Sequence, residues 1–149
     1  MVHCFRVAAM ITIYHLSTSR SERIVWLMEE LGLDYELETF AREANGAAPE
    51  AMRNIHPLGK APVIRDGSLV LAESGAIVDY IVHRHGAGRL ALPPTDPAYA
   101  RYLYWLHFAE GSLMTLLLIA LVLSRIPAAN DSPAGARVAA RMKQMLSFV

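Results

Sequence analysis

The chain has 149 residues, 14 basic and 14 acidic side chains, and a formal net charge of zero. A nucleic-acid binder concentrates Lys and Arg in a basic patch; no such cluster occurs here, so the composition points to a small-molecule or protein partner and no nucleic acid. Hydrophobic residues make up 54% of the sequence, enough for a sizeable core, and the lone cysteine, Cys4, excludes a disulfide framework within the chain and argues against a Cys-based metal site; it fits a reducing, cytoplasmic compartment.

Residues 1–9 (MVHCFRVAA) are mildly apolar and too short for a signal peptide; they read as an extension before the first strand. Residues 10–14 (MITIY) are short, apolar and β-branched, as a buried strand is. A polar loop, LSTSRSE, follows. Ser19 with Glu22 three residues later has the form of a capping box. Ile24, Leu27, Met28 and Leu31 recur at helical spacing, and Gly32 is placed to end that helix. Residues 35–40 alternate as a second strand, and residues 49–55 predict a short helix ended by His56-Pro57. Two apolar runs, 61–65 and 68–72, flank Asp66-Gly67, a strong hairpin signal. Residues 76–85 read as a helix capped near Ser74 and stopped by Gly86 and Gly88.

The order βαβ, short helix, ββα predicts an α/β fold: a thioredoxin-like domain over residues 10–86. Residues 87–95 form a linker stiffened by Pro93-Pro94. Residues 96–149 predict the start of an all-α domain. Thr95 or Asp96 caps a long helix with Pro97 in its first turn; the helix runs to about Ile126, and a last helix is cut by the chain end. The longest apolar run, 116–123, falls short of the about 20 residues a spanning helix needs, so the expectation is a core helix and no membrane span.

Four stretches carry a family resemblance: ITIYHLSTSRSERIVWLMEELGLDYELE, NIHPLGKAPVI, LAESGAIVDYI and RYLYWLHFAEGSLMTLLLIALVLSRI. Their order and spacing resemble the glutathione S-transferases, especially a bacterial and fungal subgroup. The resemblance implies an enzyme that activates the thiol of glutathione, its co-substrate, for attack on a hydrophobic electrophile or a peroxide. It implies detoxification, a homodimer and a chain truncated at its C-terminus, since the later helices of the family are not present. A non-catalytic binding module or an inactive truncated form is the alternative. A thiol-disulfide oxidoreductase of the same fold needs a cysteine in the loop 17–21, which has none.

Such chemistry needs a thiolate. A free thiol has a pKa of about 8.5, and lowering it by about two units takes about 2.7 kcal/mol of preferential stabilisation of the anion. A hydroxyl donor and a helix N-terminus supply this together. Ser19 stands where both meet, and it is equally placed to be only the cap. Thr18 falls where serine-type members place their catalytic serine. Tyr14 occupies the position of the tyrosine-type members, although a strand aromatic packed into the core is the preferred reading. The resemblance further assigns glutathione contacts to Lys60, to the backbone of Ala61 before a cis Pro62, to Glu73 for the γ-glutamyl ammonium and to Ser74 for its carboxylate at a helix N-terminus. Asp79 is left open between a dimer contact and a cap. Tyr99, Tyr102, Trp105, Leu106 and residues 108–110 fall on the helix that lines the hydrophobic-substrate site in the family, with core packing preferred for most. Six histidines raise the question of a metal, but His83 and His85 are two apart on a helix and do not share a face, so no metal site is expected.

Overall fold

The computed structural model describes residues 10–129 and 131–148. The N-terminal extension and Cys4 lie outside the described residues. The chain divides into two compact units, residues 1–91 and 92–149.

The first unit contains β1 (Ile11–Leu16), α1 (Glu22–Leu31), β2 (Tyr35–Phe40), α2 (Ala51–Ile55), β3 (Val63–Asp66), β4 (Leu69–Ala72) and α3 (Ser74–Arg84). The sheet has four strands in the order β2-β1-β3-β4. β1 and β2 are parallel, bridged by α1, while β3 runs antiparallel to both β1 and β4. This is the thioredoxin-like α/β arrangement that the order of elements predicts.

The period-2 alternation of the strands divides the core between the two faces of the sheet. Ile11, Ile13 and Ile64 face one side, where Ile24, Met28 and Leu31 of α1 and Ile77 and Ile81 of α3 complete the cluster. Tyr14 and Val63 face the other, under Met52 of α2. The apolar residues of α1 are spaced i, i+3, i+4 and i+7, one face of a 3.6-residue helix. Gly32 ends it in the left-handed conformation, φ 61°, its N–H bonded to the Glu29 carbonyl.

At the turn end of the β3–β4 hairpin a polar cluster ties the sheet to α3. The Tyr80 hydroxyl donates to Asp66 Oδ2 at 2.7 Å, and His85 Nε2 lies 2.6 Å from the same oxygen. Burial alone would push the Asp66 carboxyl up. The hydrogen bonds from Tyr80 and His85 and the charges of His85 and Arg84 outweigh it and hold the carboxyl below its usual range. A group whose folded pKa is depressed adds stability above its unfolded pKa, about 3.9, and loses it as pH falls through the folded value. Asp66→Asn should therefore cost about 1 kcal/mol near neutrality. In thermal melts across pH, its deficit from wild type should close only in acid; a deficit that persists there would place the effect in packing instead of charge.

The second unit contains α4 (Tyr99–His107), a π-helical turn (Phe108–Leu113), α5 (Met114–Ser124) and α6 (Pro133–Leu146). The first helix starts at Tyr99, later than expected, because the Asp96 carboxylate accepts the Ala98 N–H in a turn and Pro97 stays outside the helix. α6 is capped by Ser132, whose Oγ accepts the Gly135 N–H at 3.1 Å, and it ends at Leu146.

The burial expected of a core helix is not reached among the described residues. No described side chain of α4, the π turn or α5 is buried. The length argument against a membrane span also falls away. Counting only contiguous apolar residues missed that α4, the π turn and α5 form one helix, Tyr99–Ser124, of 26 residues, long and apolar enough to cross a membrane. Length and composition alone do not separate such a helix from the core helix of a soluble protein.

Candidate active site

Strand register assembles the site. Tyr14 of β1 pairs with Val63 of β3, and Val63 pairs with Ala72 of β4. One row across the sheet therefore precedes three departures from the same end: the loop 17–21 after β1, Ala61–Pro62 leading into β3, and Glu73–Ser74 following β4. Residues far apart in the chain meet there because β3 runs against its neighbours.

The loop after β1 is held from outside by Arg42. Its guanidinium donates from Nε to the Ser17 carbonyl at 3.0 Å, from Nη2 to the Thr18 carbonyl at 2.9 Å and from Nη1 to the Gly46 carbonyl at 2.9 Å. Thr18, with φ 55°, takes the left-handed conformation that this turn requires.

From inside, the loop is anchored by Ser21, which is fully buried. Its Oγ accepts the Leu16 N–H at 3.2 Å and lies 3.3 Å from the Leu16 carbonyl, 2.9 Å from His15 Nδ1 and 2.7 Å from Ser19 Oγ. Ser19 Oγ also accepts the Ser21 N–H at 3.2 Å.

The capping box expected from Ser19 and Glu22 does not form. Glu22 is the first residue of α1, Ser21 holds the cap position, and no side chain caps the helix. The hydroxyl of Ser21 instead turns back to the end of β1. Ser19 thus sits half-buried in the turn before the helix, its Oγ on the Ser21 N–H and its carbonyl on the Glu22 N–H.

The Thr18 side chain is exposed. Tyr14 is buried, and its hydroxyl accepts from Arg65 Nε at 2.9 Å, with the guanidinium 5.9 Å from the ring centroid. Its oxygen is thereby engaged within the sheet.

The Ala61–Pro62 peptide is cis. Pro62 is buried and Lys60 exposed. Glu73, exposed, has φ 75° and ψ 117° immediately before α3, a backbone conformation that a non-glycine residue occupies only at a cost of about 1–3 kcal/mol. Ser74, the first residue of α3, is buried. Asp79 lies 3.4 Å from His83 on the exposed face of α3. With His85, the residue that follows α3, engaged by Asp66, His83 and His85 are divided between two carboxylates. Among the described residues no group of three or more His, Cys, Asp or Glu can hold a metal ion.

Sequence reasoning missed Ser21, Arg42 and His15. The only local signal was the third serine of the loop; Arg42 acts across a loop closure that nothing in its own neighbourhood announces.

A family model described as glutathione S-transferase, N-terminal domain, matches residues 9–83. The chain belongs to the glutathione S-transferase family. It is 39% identical over 111 residues to glutathione S-transferase 3 of Schizosaccharomyces pombe, covering 72% of this chain and 44% of that protein. It is 32% identical over 122 residues to glutathione S-transferase 1 of Saccharomyces cerevisiae, covering 78% and 52%. Among solved structures, a glutathione S-transferase from Actinobacillus pleuropneumoniae superposes with a TM-score of 0.83 at 40% identity, over 94% of this chain and 64% of that one. A theta class glutathione S-transferase from Xanthomonas axonopodis pv. citri, solved with glutathione bound, gives 0.65 at 29% identity, over 91% and 65%. The chain spans about half the length of the curated glutathione S-transferases it matches.

The second unit of this glutathione S-transferase chain carries its own groove, lined by Tyr104, His107, Phe108, Thr115, Arg141 and Met145. The aromatic rings of Tyr104, Trp105, Phe108 and Phe148 touch one another beside it.

Proposed function

We propose that this chain supplies the glutathione site of a glutathione transferase, in which the thiolate of glutathione attacks an electrophile. The new sulfur–carbon bond forms as the leaving group departs with its electron pair; a peroxide is the alternative acceptor. The observation that carries this reading is the convergence of three segments at one end of the sheet: the hydroxyl-rich loop 17–21, Ala61–Pro62 and Glu73–Ser74.

Each segment offers a complementary group. The backbone of Ala61 pairs with the cysteinyl part of glutathione, and Lys60 meets its glycine carboxylate. Ser74 and the N-terminus of α3 receive the γ-glutamyl carboxylate, and Glu73 receives the ammonium. The strained backbone of Glu73 supports this assignment, since such conformations cluster at ligand clamps.

Ser19 is the proposed thiol donor. Its hydroxyl is half-buried and lies in the turn that opens α1, whereas that of Thr18 projects from a solvent-exposed residue and Tyr14 is buried in the sheet with its oxygen positioned by Arg65. For the second substrate we assign a hydrophobic electrophile, on the strength of the aromatic cluster in the second unit. The exposed Leu118, Ile119, Leu121 and Val122 support association as a homodimer; the lone cysteine supports a cytoplasmic setting, and membership of the glutathione S-transferase family supports a role in detoxification.

Calorimetric titration with glutathione tests the site. Glu73→Ala should weaken binding about tenfold, the loss of one charge-assisted contact. Equal affinities for variant and wild type would remove Glu73 from the site, and tight binding without turnover of any electrophile would make the chain a binding module.

A further inference from the structure

The chain of hydroxyls behind Ser19 has a direction, and that direction decides whether Ser19 has a proton to offer. Ser21 Oγ has one proton and two lone pairs. One lone pair is taken by the Leu16 N–H. The Leu16 carbonyl at 3.3 Å is the most distant acceptor for the Ser21 proton, and giving it that proton would leave one lone pair for two shorter contacts. Closing both short contacts, to Ser19 Oγ at 2.7 Å and His15 Nδ1 at 2.9 Å, leaves two arrangements.

In the first, His15 Nδ1 is unprotonated and takes the Ser21 proton. Ser19 must then donate to Ser21, because 2.7 Å is hydrogen-bond distance and two facing lone pairs would repel there. The Ser19 proton is consumed inside the protein. In the second, His15 Nδ1 carries the proton and donates it to the remaining lone pair of Ser21. Ser21 donates to Ser19, whose other lone pair already accepts the Ser21 N–H. Both Ser19 lone pairs are then filled, and its own O–H has no inward partner and must point out of the loop.

We propose that His15, held as the Nδ1–H tautomer, is a positioning residue that acts through the buried Ser21 to turn the Ser19 proton toward the sulfur of glutathione. The inference rests on the reading of Ser19 as thiol donor. It concerns hydrogen-bond direction alone, so no proton changes hands along the chain.

Two measurements test it. The first is the pKa of the bound glutathione thiol, followed by thiolate absorbance, in wild type, His15→Leu, His15→Asn and Ser19→Ala. Leucine removes the donor to Ser21, whereas the asparagine amide places an N–H close to the Nδ1 position. His15→Leu should raise the thiol pKa by about one unit, a tenfold loss of thiolate at pH values well below that pKa, with glutathione affinity within about twofold of wild type because one positioning hydrogen bond does not touch the peptide. His15→Asn should restore the wild-type value. Equal elevation in both His15 variants would make His15 a packing residue and overturn the relay. An unchanged pKa in His15→Leu with a raised one in Ser19→Ala would overturn the relay alone. An unchanged pKa in Ser19→Ala would overturn the reading of Ser19, and the relay with it. The second measurement needs no variant: nitrogen NMR of wild-type His15 should show Nδ1 as the protonated ring nitrogen, and an unprotonated Nδ1 would overturn the proposal.

Discussion

Ser19→Ala should raise the pKa of the bound glutathione thiol by about one to two units, the worth of one hydrogen bond to a charged group. The effect has a diagnostic pH dependence. Near pH 6.5, where the variant's thiol is mostly protonated and the wild-type thiol about half ionised, kcat/KM should fall about 5- to 50-fold, in proportion to the thiolate lost. At pH 10, above the thiol pKa in both proteins, the rates should converge. Tyr14→Phe should change much less, since Tyr14 is buried among Met52 and Val63 on its face of the sheet. A profile in which Tyr14→Phe dominates would move the donor to the tyrosine, and one in which Thr18→Ala dominates would shift it by one residue. A loss of rate that persists at pH 10 would point to misplacement of glutathione instead of thiol ionisation.

Gly86→Ala should destabilise the first unit by about 1–3 kcal/mol, the usual cost of forcing a methyl into a packed site. Gly86 is buried after α3, with its N–H on the Ile81 carbonyl at 2.8 Å. A Cβ there would lie 2.9 Å from the Val82 carbonyl oxygen and 3.1 and 3.2 Å from the two methyls of Leu31. The Leu31 side chain can yield, but the Val82 oxygen is backbone and can move only by disturbing the end of α3. Gly67 provides the contrast: it has φ 57° and open space around its Cα, so Gly67→Ala should cost only the conformational penalty, about 1 kcal/mol. Urea denaturation separates the two if the midpoint falls further for Gly86→Ala at constant slope. Equal shifts would mean that the region after α3 relaxes around the methyl.

The order of elements in the first unit was legible because each rests on local rules. The apolar residues of α1 repeat every three to four positions, Asp66-Gly67 separates two apolar runs, and Gly32 meets the left-handed requirement of a helix end. These signals lie within a few residues of one another and survive without knowledge of the fold. Ser19 was singled out by its place between β1 and a helix start, whereas Ala61, Pro62, Glu73 and Ser74 were proposed from the family resemblance of the segments that hold them.

Tertiary structure decided what local rules cannot reach. Ser19 and Ser21 are indistinguishable in the string STSRSE; Ser21 is the buried one because the turn held by Arg42 carries its hydroxyl back to the end of β1. Arg42 serves a loop 24 and 25 residues away, and Arg65 engages Tyr14 across 51; both pairings follow from how strands and loops close. Gly86 read as a helix stop, and the structure adds that Leu31, from a different helix, leaves no room for a Cβ. The amino-acid sequence by itself determined which segments become strands and helices, since those preferences are set by near neighbours. Which hydroxyl is buried, which arginine clamps the loop and which glycine cannot change were decided only by packing between residues far apart in the chain, because a side chain's surroundings exist only once the sheet has closed.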